Sequence, residues 1–551
     1  MEPVNVRDTL STVFEYHQRT KHQLQRYAAG PAGLDWDDQP EAFRWFGGAP
    51  RVELPLTADS VATAYADLFT RTLAPQALNL DNLAALLECS LGLAAWKQYG
   101  QDRWALRCNP SSGNLHPTEA YLVSAGVADI PAGVFHYLSR DHVLERRCGV
   151  DAGVLSGLLP GQGLLVGLTS IHWREAWKYG ERAYRYCQLD AGHAIAALRY
   201  AAAALGWSLR VLDDWADADI AGVLGLDRAQ DFADAEREEP DVMLLLQAGG
   251  RENPAPPVDE LRSVLRASVW QGRANTLSTG HVEQWPVIDE VASACRKPRT
   301  APVTAEPALL PPPLDSACTT AAVKLFRRRR SAQRFDGQTA ISAMQLFRML
   351  DMLLPRDGIA PWDSLPGPAR LHPIVFVHRV EGLRPGLYVL PRRDGAEDLL
   401  REALQRDPFE WERVEGCPSH IPFYSLVFAN SQRVAATLSC HQAIAADSAF
   451  AVAMLAEFET PLSDAPWRYR RLFQEAGVLG QVLYLEAEAA GVQGTGIGCF
   501  FDDPLHELLG IPDRRLQSLY HFTVGGAVFD HRLTTLPPYP GLSGRRAAPH
   551  P

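Results

Sequence analysis

The segment YRYCQLDAGHAIAALRYAAAALGW, beginning at Tyr184, aligns without a gap to YRRLFQEAGVLGQVLYLEAEAAGV, beginning at Tyr469. The offset of 285 holds through Gly206/Gly491 and Asp217/Asp502 to Leu224-Gly225 and Leu509-Gly510. Self-similarity on this scale restricts the chain to architectures that pair two similar halves. Each copy reads as a long amphipathic helix, a Gly break, a loop and a short helix ending at Gly. A second pair of blocks precedes these. LHPTEAYLV at Leu115–Val123 with PAGVFHY at Pro131–Tyr137 recurs as LHPIVFVHRV at Leu371–Val380 with RPGLYVL at Arg384–Leu390, and both read as strand, turn, strand. At His116/His372 the offset is only 256, so the second copy carries 29 extra residues between the blocks. The Ala-rich run Gln442–Phe458 reads as the inserted helix. Helix-like stretches, LDNLAALLECSLGL from Leu80 and ISAMQLFRMLDMLL from Ile341, precede each His-Pro.

Two copies of an α+β unit on one tether predict a dimer fused into a single chain, and 551 residues exceed what one core usually holds. The expected divisions are a first half with an N-terminal extension over 1–255, a Pro-rich linker region over 256–320, a second half over 321–535 and an extended tail over 536–551. Within the linker region KPRTAPVTAEPALLPPPLDS (297–316) is weakly periodic and semi-rigid in character. A net charge of −12 argues against a nucleic-acid partner. The N-terminal MEPVNVRDTLSTVFEYHQ lacks the apolar run of a signal peptide, and Ala194–Leu205 is too short, and broken by Arg199, to span a membrane. Nine cysteines without a CxxC pair read as reduced thiols of a cytoplasmic protein, with no metal site or disulfide framework expected.

The copies differ where chemistry would sit. The second opens with LFRRRRSAQRFDG at Leu325–Gly337, whose guanidinium forks and hydroxyl suit a phosphate, although an Arg run is also an ordinary solvated helix face. The first copy has LFTRTLAPQAL there, keeping only Arg71. The loop before the His-Pro shows the reverse: Asn109-Pro110-Ser111-Ser112-Gly113-Asn114 in the first copy, Pro366-Gly367-Pro368-Ala369-Arg370 in the second. A third block, GTGIGCFFDD at Gly494–Asp503, replaces LRVLDDWADA with three alternating glycines whose bare backbone can approach a planar ring; a glycine-rich turn explains that block equally well. Each half therefore holds a part the other lacks, and pairing about a pseudo-two-fold axis would make one complete site and one degenerate site. Lys178-Tyr179, opposite Ser463-Asp464, also belongs to one half only. The pair could accept a proton if burial lowered its pKa values toward working pH, whereas Asp190 and His193, three apart on the helix, are better explained by packing and capping.

RCNPSSGNLHPTEAYLV, WKYGERAYRYCQLDAGH, RRRRSAQRF and GIGCFFDDPLHELLGI, taken in order, resemble the nitroreductase family, and within it the SagB-type dehydrogenases, thiazoline and oxazoline oxidases of peptide natural-product pathways. The resemblance implies two tandem nitroreductase-like halves forming an intramolecular pseudo-dimer, with FMN at their interface. It implies Arg329, Arg330, Ser331 and Arg334 near the phosphate and Gly496, Ile497 and Gly498 beside the isoalloxazine. Pro110, Ser111, Ser112 and Asn114 would close the site from the first half. It further implies deprotonation by Lys178 and Tyr179, hydride transfer to the flavin, and reoxidation by dioxygen or another acceptor. The substrate would be a small molecule or peptide-derived azoline. Relatives often work with a biosynthetic partner enzyme, whereas this chain supplies both halves itself and so could act as a monomer.

Two rivals stand beside this reading. One is an NAD(P)H-dependent nitro- or quinone reductase; no Rossmann fingerprint supports it, since GQGLLVG at Gly161–Gly167 precedes a strand-like run instead of following one. The other is a non-catalytic flavin-binding partner protein.

Overall fold

The computed structural model describes residues 6–545 apart from 70–72, 127–128, 160–162, 250–253, 282 and 304–309. Arg71, Gly161 and Gln162, parts of the readings above, lie outside the described residues, as do 546–551 of the tail.

The strand-like runs collect into two antiparallel sheets, one per copy. After a hairpin of β1 (Leu93–Tyr99) and β2 (Asp102–Arg107), the first sheet uses β3 (Thr118–Ser124), β4 (Gly133–Leu138), β5 (Val143–Gly149), β6 (Gly163–Ser170), β7 (Ser208–Val211) and β8 (Glu239–Gln247). The second uses β9 (Leu371–Val377), β10 (Gly386–Val389), β11 (Tyr424–Phe428), β12 (Phe450–Glu457), β13 (Gln493–Ile497) and β14 (Leu516–Gly525). Strand orders are β5-β4-β3-β6-β8-β7 and β11-β10-β9-β12-β14-β13, the same topology twice, with short pieces added at the β5 and β11 edges. The α+β class and the doubled unit expected from the sequence are both present.

The helices that matter are α1 (Val6–Arg19), α2 (Leu80–Ser90), α3 (His172–Tyr179) and α4 (Ala183–Ala204) from the first copy. The later ones are α5 (Pro286–Ala294), α6 (Ala322–Arg328), α7 (Ala343–Met352) and α8 (Arg468–Ala489). The two pre-His-Pro helices start as their sequences direct: Asn79 accepts the Asn82 N–H at the head of α2, and Ser342 with Gln345 forms a capping box on α7. The 22-residue helices α4 and α8 pack against each other at the centre of the molecule. Every residue of α4 is buried, so its charged members need partners. Arg199 pairs with Asp363, and Gln188 donates to Asp241 at 2.7 Å.

Two glycines let α4 and α8 touch backbone to backbone. A Cβ on Gly192 would lie 2.0 Å from the Gln474 carbonyl oxygen, and one on Gly477 would lie 2.1 Å from that of Leu189. These glycines are 285 apart, as are the ion pairs flanking the crossing: Arg185 reaches Asp502 at 3.0 Å and Arg470 reaches Asp217. Both pairs join one copy to the other and both are buried, a setting in which losing one partner costs about 3–5 kcal/mol. A third pseudo-symmetric contact is an exchange of backbone bonds, Tyr65 N to Thr320 O and Ala322 N to Thr63 O, each 2.9 Å.

Two segments differ from the sequence expectation. Gln442–Phe458 is not an inserted helix: after a short helical turn at Ala443–Asp447, Phe450–Glu457 forms the central strand β12 between β9 and β14. All eight strand residues are buried, and a strand covered on both faces loses the alternation that would separate it from a helix. The extra residues lie instead between β10 and β12. Residues 256–320 are not featureless either, since they carry a helix at Val258–Ala267 and α5, which packs on α1. The segment beyond α5 is pinned: Lys297 N donates to Asp217 (2.9 Å), Thr300 Oγ1 to the Asp213 carbonyl (2.9 Å) and Val303 N to the Asp213 carboxylate (2.8 Å). Near the C-terminus β15 (Thr534–Leu536) pairs with β1, and buried Tyr539 donates to the Ser139 carbonyl.

Gly192→Ala or Gly477→Ala should lower the melting temperature by roughly 2 °C or more through forced separation of α4 and α8. Gly157→Ala, with no atom near its added Cβ, should leave it unchanged or slightly raised in the same thermal scans.

Candidate functional site

A cavity of about 680 Å³ lies between the copies, within the range of about 300–1,000 Å³ used for cofactors and small ligands. Its first-copy wall is the loop Asn109–His116. Small polar side chains hold this loop by bonding its own backbone and that of β2: Ser111 Oγ accepts the His116 N–H at 2.8 Å, and Asn114 Nδ2 donates to the Ala105 carbonyl at 2.8 Å. Gly113, Asn114 and His116 all take positive φ (59°, 61° and 54°), a bent path that the side-chain bonds stabilise. Asp190 on α4 fixes the loop from below, accepting from the Ser112 N–H and hydroxyl, both at 3.0 Å. Pro110, Ser111, Ser112 and Asn114 all line the cavity.

The second copy supplies the opposite wall. Of the four-arginine run, Arg327 pairs with Asp59 and Glu88, and Arg328 pairs with Glu488, as solvated arginines do. Arg329 and Arg330 turn inward. Arg329 crosses to the first copy, donating to the carbonyls of Cys108 (3.1 Å) and Arg107 (3.2 Å), with its plane 4.9 Å over Tyr484. Arg330 donates to the carbonyls of Arg327, Arg329 and Ala94. Burial, reinforced by Arg329, pushes Arg330 down to about 10, and burial does the same to Arg107. With Lys97 these cations line one end of the cavity, and none is ion-paired among the described residues. Buried positive charge without a counter-ion is unfavourable, so this end is built for an anion.

Ser331 Oγ lies 2.7 Å from Tyr484 Oη, which accepts the Gly496 N–H at 3.0 Å, and Ala332 N donates to the Gly494 carbonyl. The arginine segment, α8 and β13 are thereby fixed together. Gly496, Ile497 and Gly498 line the cavity. A Cβ at Gly496 would sit 1.7 Å from Tyr520 Oη and one at Gly498 would strike Tyr186, so both tyrosines close in only because side chains are missing there. Tyr520 Oη contacts His193 Nε2 at 3.1 Å; burial drives His193 down to about 3, which keeps it neutral.

Arg334 and Lys178 do not line the cavity. Arg334 is exposed, with its carbonyl accepting from Val528 N, and half-buried Lys178 stands with Nζ 5.5 Å from the Tyr179 ring centroid. Tyr179 does line it, but burial, and then Glu175, raises its pKa well above the usual phenol range. Burial disfavours the charged form of any group, so it moves a phenol up, away from a base's working range. Tyr179 is therefore a neutral hydrogen-bond donor. The cavity carboxylate suited to proton exchange is Asp190, which burial pushes up to about 7 against the pull of its Ser111 and Ser112 bonds. Asp190, explained from sequence by packing and capping, differs from its partner Glu475 in the other copy, and its cavity neighbour Tyr186 differs from Arg471. Buried Asn109 Oδ1 and His116 Nδ1, both without a hydrogen-bond partner among the described residues, also fit a ligand that donates or accepts hydrogen bonds here.

A family model described as the nitroreductase family matches residues 70–233 and 388–526, more than half of the chain and both copies. Over 190 residues the chain is 30% identical to the trifolitoxin-processing protein TfxB of Rhizobium leguminosarum bv. trifolii, covering 32% of this chain and 51% of TfxB. The chain thus spans about half the length of that relative. It is 23% identical over 154 residues to a protein named as a nitroreductase from Methanocaldococcus jannaschii, covering 27% of this chain and 74% of the relative. A crystal structure of a protein named as a nitroreductase from Anabaena variabilis superposes with a TM-score of 0.66 at 21% identity, covering 94% of this chain and 99% of that one. The doubled fold is shared along nearly the whole of both chains.

The unfolded chain releases the Asp190 proton near 3.8, whereas the folded chain keeps it up to about 7. Stability therefore falls as pH rises through that window and stays lost above it. Asp190→Asn removes this penalty, so its melting temperature relative to the parent should improve from pH 5 to pH 8, by on the order of 2 kcal/mol in stability. A difference that stays flat across that range would show that the carboxyl titrates normally.

Proposed function

Because this chain belongs to the nitroreductase family, we propose that it is an FMN-dependent oxidoreductase of the SagB type, acting on a peptide-derived azoline or a related small molecule. The observation that carries this reading is the cationic end formed by Lys97, Arg107, Arg329 and Arg330, without an ion pair among the described residues, set in one cavity with the bare backbone of Gly496 and Gly498. A ligand with an anionic terminus and a flat polar head satisfies both. Arg330 and Ser331 would hold the phosphate, with Arg329 and Arg107 behind them; Arg334 is too far outside the wall to share that role. Backbone at Gly496–Gly498 would meet the ring on one side, and Pro110–Asn114 would cover its flank. When bound, FMN supplies the two-electron redox chemistry.

The remaining tasks fall to side chains. The neutral Tyr179 phenol orients substrate by donating a hydrogen bond, and the positive charge of Lys178 behind it favours an electron-rich substrate atom. Asp190 takes the substrate proton, because its pKa near neutrality lets it exchange protons at working pH. Ser112 keeps that carboxylate aimed at the cavity floor. A peptide-derived substrate is favoured by the likeness to TfxB, a protein named for processing trifolitoxin.

Absorption spectroscopy with phosphate analysis of the purified chain should find one FMN per chain. Two would mean that the second copy's counterpart is competent, and none after titration with FMN would end the proposal. Arg330→Ala should weaken FMN binding by about tenfold or more, as loss of a charge-assisted bond does. Tyr179→Phe, Lys178→Ala and Asp190→Asn should retain flavin but slow oxidation of azoline peptides. Rapid anaerobic bleaching by NADPH, with no azoline oxidation, would favour a reductase instead.

A further inference from the structure

The pseudo-two-fold relation puts a second cavity, of about 230 Å³, at the counterpart of the first. At the 285 offset Arg471 stands for Tyr186, Glu475 for Asp190 and Asp213 for Gly498, and the loop Pro366–Arg370 stands for Pro110–Asn114. This cavity is not simply a collapsed copy. The linker residues Thr300, Ala301 and Val303 form one wall, tied to Asp213 by the two bonds described above, and they leave room for something far smaller than a dinucleotide-sized or flavin-sized ligand. What remains is chiefly apolar, with the indoles of Trp362 and Trp467 and the rings of Pro366 and Pro368 in its lining.

Its charges are unbalanced. Glu475 is fully used, accepting from Arg370 N, Leu371 N and Arg392, and Asp213 accepts from Val303 N. Arg471, half-buried, makes one hydrogen bond, from Nη1 to Gln474 Oε1 at 3.1 Å, and no ion pair among the described residues. Burial and the adjacent Arg470 push it down to about 10 against the pull of Asp217 and of Asp213 in the same cavity, neither of which reaches it as an ion pair. Arg468, at the rim, lies 5.6 Å over Trp467 and likewise has no acidic partner among the described residues. An apolar slot with indole walls and an unneutralised guanidinium matches one ligand chemistry well.

We propose that this second cavity is a binding site for a small organic acid, with a flat apolar body packed against Trp362 and Trp467 and its carboxylate or sulfonate on Arg471. The site is separate from the FMN-type cavity and lies where the second copy lacks the hydroxyl loop and the first copy lacks the glycine strand. Ligand there bridges α8 to the linker that spans the two copies.

The test uses the full chain with FMN in excess and anilinonaphthalene sulfonate as the probe. One saturable class of probe sites per chain is expected, quenching indole emission and indifferent to further FMN. Arg471→Leu should weaken probe binding by about tenfold or more, and Arg471→Lys should keep most of it. Binding of the uncharged N-phenylnaphthylamine should be the same in the parent and Arg471→Leu. Val303→Trp, filling the cavity from its exposed wall, should abolish binding of both probes. Absence of probe binding, displacement by FMN, or equal sulfonate affinity in Arg471→Leu would overturn the proposal. If Arg471→Leu melts early or loses flavin, Val303→Trp decides, and probe binding retained in that variant overturns it.

Discussion

Everything in this molecule is arranged around one contact without side chains: the crossing of α4 and α8 at Gly192 and Gly477, where each helix lies against the other's carbonyls. Helices that pack through ordinary side chains sit about 8–10 Å apart. Removing the side chains at the crossing draws the two axes closer, and the flanking pairs Arg185–Asp502 and Arg470–Asp217 then fix the angle. The larger cavity is walled by residues from both helices, Tyr186, Asp190 and His193 of α4 and Tyr484 of α8, so its shape depends on this crossing; the smaller one takes Arg471 and Glu475 from α8. From α4 Asp190 bonds the Ser112 loop of its own copy, and from α8 Tyr484 bonds Ser331 and Gly496 of its own, so the paired helices carry both cavity walls.

A second consequence is the polar content of the interface. Tyr484, Tyr520, His193, Gln481 and Asp190 lie where an interior would ordinarily be aliphatic; His193 bonds Gln481 and Tyr520 across the copies, while Tyr484 and Asp190 bond within their own. Buried polar groups that are satisfied specify a single geometry, whereas the orphaned Asn109 and His116 atoms sit where the cavity wall is open to a ligand. Satisfied atoms hold the frame, and unsatisfied ones face the space that the frame encloses.

The doubled architecture was legible in the sequence because helix and glycine spacing survived divergence at a constant register, and the division of loop, arginine segment and glycine strand between the copies followed from it. The failures have local causes. Gln442–Phe458 looked helical because a strand covered on both faces shows no alternation, and alanine does not discriminate. The resemblance implies Arg334 beside Arg329 and Arg330 at the phosphate; in the structure Ser331 pairs with Gly494 and Arg334 is exposed, outside the cavity lining. Asp190 reads as a capping carboxylate and does hold the Ser112 loop; the burial that moves its titration to about 7 comes from the packing around all of α4, which local sequence does not show. The pinning of 297–303 had no signal in a Pro-rich composition, since it depends on Asp213 and Asp217 far away in sequence.

The tether from α5 to α6 has a further effect. In a pair of identical subunits every substitution appears twice, and dilution separates the partners. Here the halves meet at a fixed effective concentration that no dilution changes. One half could therefore exchange a hydroxyl loop for prolines and an arginine while the other kept its own, and no assembly step could ever bring two altered halves together.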